Sequence, residues 1–95
     1  MDHRIDITVK EWGRDAVNAD RLLGALHEIL PAAEAVIDQN VRTGELTASF
    51  VIAGREIVAA VSEATRVLGL ASARAGLGAP HIVAVVAREG ALLAV

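Results

Sequence analysis

Few residues in this chain could do chemistry: three histidines, no cysteine, one tryptophan and a scattering of carboxylates and hydroxyls. The most interesting polar segment is Glu11-Trp12-Gly13-Arg14-Asp15. Loops of this kind often rim ligand clefts, and Trp and Arg are enriched at interaction hot spots, so Trp12 and Arg14 are candidate contact residues. The competing reading makes Trp12 a cap on the open end of the core, with Arg14 and Asp15 paired near the surface. His27 lies on a helix without a second ligand beside it, and His3 and His81 begin strands that run in opposite directions. None of the three forms a metal site. Glu56 and Glu63 stand seven apart, with Arg66 three beyond Glu63, the spacing of a solvated helix face with weak ion pairs. Ser62 and Thr65 have no adjacent base. Gly76-Leu77-Gly78 follows a helix rather than a strand and lacks a third glycine, so it ends a helix and does not cradle a dinucleotide. No phosphate loop, zinc-binding HExxH or nucleophile elbow occurs. No catalytic, cofactor-binding or metal-ligating residue is assigned, and the balance lies on the non-enzymatic side.

Composition narrows the classes further. Ninety-five residues make one domain that can bury a core without disulfides or a structural metal. A hydrophobic fraction of 54% is high for so short a chain, and mean hydropathy is +0.47. Much of it is alanine, yet the excess still points to an oligomer or a bound partner. The net charge is −3, the nine Lys and Arg residues are dispersed, and the aromatics are only Trp12 and Phe50. That argues against nucleic-acid binding, which needs neutralised phosphates and stacking platforms. Absent cysteines exclude disulfides and thiolate chemistry. The start of the chain has no signal-peptide core, and the longest apolar run, Ile82–Ala87, is far shorter than the roughly 20 residues that span a bilayer. A cytoplasmic protein with no membrane contact is expected. The Arg-over-Lys, Ala/Val/Gly-rich usage suits a bacterial gene.

The elements that must position these residues follow from periodicity. Ile5, Ile7 and Val9 alternate with polar residues, giving a first strand with one wet face. Glu11–Val17 reads as a loop, with Asn18 as helix N-cap and Asp20 in the first turn. Leu22, Leu26, Ile29 and Leu30 make the buried stripe, and Pro31 closes the helix. A strand is expected near Ala35–Val41. Arg42-Thr43-Gly44-Glu45 then forms a hairpin loop that sets Val41 opposite Leu46 and leaves Gln39 pointing at the core. The period changes once, at Gly54. Leu46, Ala48, Phe50 and Ile52 alternate before it, and Ile57, Val61, Ala64, Leu68, Ala71 and Ala75 recur every three or four residues after it. Gly76 ends the second helix, and Ile82–Ala87 is the last strand.

The order β-α-β-β-α-β implies an α+β, ferredoxin-like sandwich: a four-stranded antiparallel sheet, spatial order 4-1-3-2, with two helices on one face. Residues 1–89 form the domain and residues 90–95 an apolar tail. The uncovered sheet face is polar on the first strand, while the last strand is apolar on both sides, and an edge strand of that kind should not face water. Val51, Val83 and Val85, together with Leu92 and Leu93 of the tail, are therefore candidate contacts in a homodimer or with a protein partner. The topology resembles that of ACT-type regulatory domains, where a glycine-containing loop after the first strand, the place of Gly13 here, binds small molecules at subunit interfaces. It is also similar to the dimeric α+β-barrel monooxygenases, which enclose a cavity between two sheets. Those enzymes commonly carry His, Tyr, Asn or Trp in that cavity, and this sheet offers little beyond Trp12. No family is assigned. The resulting reading is a non-enzymatic association or regulatory accessory module acting through homodimerisation and partner binding. The alternative is a small-molecule-binding sensor or cofactor-free enzyme with a cavity between the two sheets of a dimer, lined by Val51, Val83, Val85 and Trp12.

Overall fold

A computed structural model describes residues 2–89. Its elements are β1 (His3–Val9), a 3₁₀ turn (Trp12–Arg14), α1 (Ala16–Ile29), β2 (Val36–Asn40), β3 (Glu45–Ile52), α2 (Ile57–Arg74) and β4 (Ile82–Glu89). The four strands form one sheet in the order β2-β3-β1-β4, every neighbouring pair antiparallel. This is the layout expected of a ferredoxin-like sandwich. Leu92 and Leu93 lie outside the described residues.

Alternation in β1 does what its pattern requires. His3, Ile5, Ile7 and Val9 are buried beneath the helices, while Arg4, Asp6 and Thr8 face the other way and are half-buried. Leu46, Ala48, Phe50 and Ile52 of β3 lie opposite Val9, Ile7, Ile5 and His3 in register. The core closes over them with Leu22 and Leu26 of α1 and Ala64, Val67, Leu68 and Ala71 of α2.

Two local expectations are corrected. Helix α1 begins at Ala16 because Asp15, not Asn18, is its N-cap, accepting from Val17 N at 3.0 Å. The Asn18 amide is occupied elsewhere, donating to the Trp12 carbonyl at 3.2 Å. The β2–β3 hairpin is also offset by two residues. Gln39 faces Leu46 and Asn40 faces Glu45, so the loop is Val41–Gly44. Asn40 Oδ1 accepts from Arg42 N and Thr43 N, an Asx turn that closes the loop earlier than apolar matching of Val41 would. A two-residue shift preserves every side chain's face, so Ile37 stays on the side of Phe50.

Helix α2 ends as expected. Leu77 N donates to Ser72 O at 2.9 Å and Gly76 N to Ala73 O at 3.1 Å, with Gly76 at φ 77°. This is the Schellman arrangement, and its left-handed position suits glycine.

Candidate functional site

The Trp12–Arg14 turn is docked onto the β2–β3 hairpin. Gly13 N donates to Gly44 O at 3.0 Å. A Cβ on Gly13 would come 2.1 Å from the Glu45 carbonyl oxygen, so only glycine permits this approach. Gln39 completes the joint, its Nε2 donating to Gly13 O at 2.8 Å. That bond explains the amide that Gln39 places on the core side of β2, a partner that periodicity alone does not reveal. Trp12 itself belongs to the core at 9% exposure, which favours the capping role. Arg14 is exposed and lies along Gly44. The turn therefore presents one arginine to solvent and no tryptophan face.

The uncovered face of the sheet is built differently from an apolar contact surface. Arg4 and Arg88 stand directly opposite one another on β1 and β4, a like-charge pairing that would repel. Asp6 resolves it, its Oδ2 accepting from Arg88 Nη2 at 2.8 Å and its Oδ1 from the Ser49 hydroxyl at 2.6 Å. Ser49 Oγ in turn accepts from Arg4 Nη1 at 2.9 Å. Beside this chain the Thr8 and Thr47 hydroxyls share a 2.8 Å bond. The centre of the face is thus a polar network whose members satisfy one another, with Val36, Val51 and Val86 around it.

Strand β4 is one of the sheet's two edges. Its register slips between Thr8 and Val9, leaving Val83 out of the ladder as a bulge. Val85 pairs with Ile7, on the helix side, yet is 38% exposed, because the helix layer stops short of this strand. Val86 pairs with Asp6 on the opposite side and is 52% exposed.

Within one copy, the four residues of the expected cavity do not share a surface. Val51 lies opposite Arg4 on the uncovered face and Val85 on the other face. Trp12 follows the far end of β1, roughly 16 Å of strand from Arg4. The structure instead has a half-open cleft of about 470 Å³ where the segment after α1 meets the end of β3 and the start of α2. Leu30, Pro31, Val51 and Ile52 supply its apolar lining, and Asp2, Glu34, Arg55 and Glu63 its charges. The hydrogen bond from Val51 N to Ala33 O, at 2.8 Å, holds its two sides together. Glu63 is engaged by Arg66, whose guanidinium donates at 2.6 and 3.1 Å and holds the carboxyl below its ordinary range. Arg66 is correspondingly raised. Asp2, Glu34, Arg55 and Glu63 are spread around the cleft without a buried acid or base that could act on a bound substrate.

Among the described residues, no group of three or more His, Asp or Glu side chains is placed to hold a metal ion. No helix among them is long and apolar enough to cross a membrane. No family model, curated protein or solved structure matches this chain.

Proposed function

We propose that the chain is a cytoplasmic, non-enzymatic association module that forms a homodimer and offers its remaining surface to a protein partner. The supporting observation is β4, a strand with no neighbour on its outer side among the described residues and with Val83, Val85 and Val86 all exposed. A water-facing strand of that composition is a template for pairing. Arg14, on its anchored turn, and the valines around the sheet face are the candidate partner contacts. Light scattering after size exclusion tests the reading. The expected mass is twice the 9.9 kDa of one chain; a mass of one chain at every concentration defeats it. Repeating the measurement on a chain ending at Glu89 assigns or removes a contribution from Leu92 and Leu93.

A second reading rests on the cleft beside Val51. Its volume of about 470 Å³ falls within the range of small-molecule sites, roughly 300–1,000 Å³. A small apolar or amino-acid-like ligand bound there at 100 times its Kd would stabilise the fold by about 2.7 kcal/mol. A thermal-shift screen showing no response to such ligands would remove this reading and leave the first untouched.

A further inference from the structure

Resting on the association reading, we propose which surface does the associating: β4 pairs antiparallel with β4 of a second copy, edge to edge, about a two-fold axis at Val86. The two sheets then become one sheet of eight strands, with both helix layers on the same side.

The two edges of the sheet differ in a way that selects β4. Edge β2 has five residues and carries exposed Asp38 at its middle, and its Gln39 side chain is turned inward to Gly13. A charge in the middle of a short edge strand discourages pairing. Edge β4 has eight residues, and none from Ile82 to Ala87 is charged. Its outward backbone donors and acceptors call for another strand, not for a helix or a flat surface.

The uncovered face is the competing surface, and its chemistry argues against it. Stacking two copies face to face would desolvate Arg4, Asp6 and Arg88, which are already linked directly or through Ser49 within a single copy. Edge pairing leaves that network wet. It also accounts for the exposure of Val85: the helix-side surface of β4 that α2 leaves open becomes the floor between the two α2 helices.

A second copy fits this edge because the strand is compatible with itself. The bulge at Val83 confines regular pairing to Ala84–Glu89, and Val86 lies near the middle of that segment. Antiparallel pairing about that point sets Val86 against Val86, Val85 against Ala87 and Ala84 against Arg88. Apolar residues meet across both faces, and the two Arg88 side chains are kept apart. An isologous contact of this kind closes after two copies.

The test uses the full chain and its lack of cysteines, which lets a single introduced thiol report one contact. Wild type should elute at twice 9.9 kDa and Val86→Lys at 9.9 kDa, because the substitution sets like charges against each other on the axis. Val36→Lys, on the other edge, should remain a dimer. Mild oxidation should cross-link Val86→Cys through its own copy and should fail to cross-link Val85→Cys or Val36→Cys. A wild-type monomer, whether the edge stays open or is covered by residues 90–95 of its own chain, overturns the association reading and this one together. A wild-type dimer that survives Val86→Lys overturns edge pairing alone. If Val86→Lys fails to fold, the thiols decide: a bridge at Val36, or none at Val86, overturns it.

Discussion

The joint between the Trp12–Arg14 turn and the hairpin shows how single residues hold this fold's polar corner. Gln39 supplies a hydrogen bond to a carbonyl that β2 alone would leave unpaired. Gln39→Ala should cost about 1 kcal/mol. It should also red-shift the emission of Trp12, the only tryptophan, as the turn loosens and water reaches the indole. An unchanged spectrum with unchanged stability would make the 2.8 Å contact incidental. His3 presents the opposite situation. It is 4% exposed in the core layer of β1, and its Nδ1 has no hydrogen-bond partner. A buried polar atom left unpaired costs more than an apolar atom of similar size in its place. His3→Leu should therefore raise stability by roughly 1 kcal/mol, about 4–8 °C in Tm for a domain of this size. A drop in Tm on calorimetry would mean that the imidazole has a role that packing and hydrogen bonding do not reveal.

Among the elements, Asp15 and Asn18 make a paired experiment. Both are residue types that cap helices, and only geometry distinguishes them. Asp15→Ala should lower stability by about 1 kcal/mol through loss of the Val17 cap. In denaturant melts followed by far-UV dichroism, Asn18→Ala should act on the turn instead, removing its bond to Trp12 O. Equal losses of helix signal in both variants would contradict that division. The same pair shows what periodicity can and cannot convey. Hydrophobic alternation and the change of period at Gly54 made the strands, the helices and their order legible, because burial imposes them. Asn18 was the more natural cap by its place before the apolar stripe; a side chain's choice between a cap and a distant carbonyl is decided by tertiary contact. The hairpin offset has a similar origin, since apolar matching favoured Val41 opposite Leu46 while the Asx turn of Asn40 closed the loop sooner. The exposed apolar β4 was legible as composition. The split of Val51 and Val85 onto opposite faces was not, because it depends on where the Val83 bulge falls.

For the whole molecule, the question is which force brings two copies together, and salt distinguishes the candidates. The uncovered face carries Arg4, Asp6 and Arg88, and an interface there would involve charges that ions screen over a Debye length of about 8 Å at physiological ionic strength. The β4 edge carries no charge from Ile82 to Ala87, so pairing through it draws on backbone hydrogen bonds and burial of valine side chains. Neither is weakened by screening, and sulfate, being excluded from protein surfaces, strengthens burial. The dimer dissociation constant, measured by sedimentation equilibrium, should therefore change less than about threefold between 50 mM and 500 mM sodium chloride, and should fall in sodium sulfate, in keeping with these effects. The net charge of −3 reinforces the expectation. Two copies repel weakly at long range, so added salt relieves that repulsion if it acts at all. A dissociation constant that rises tenfold or more across the same chloride range would place the charged network inside the interface. It would then move the contact from the edge of the sheet to its face.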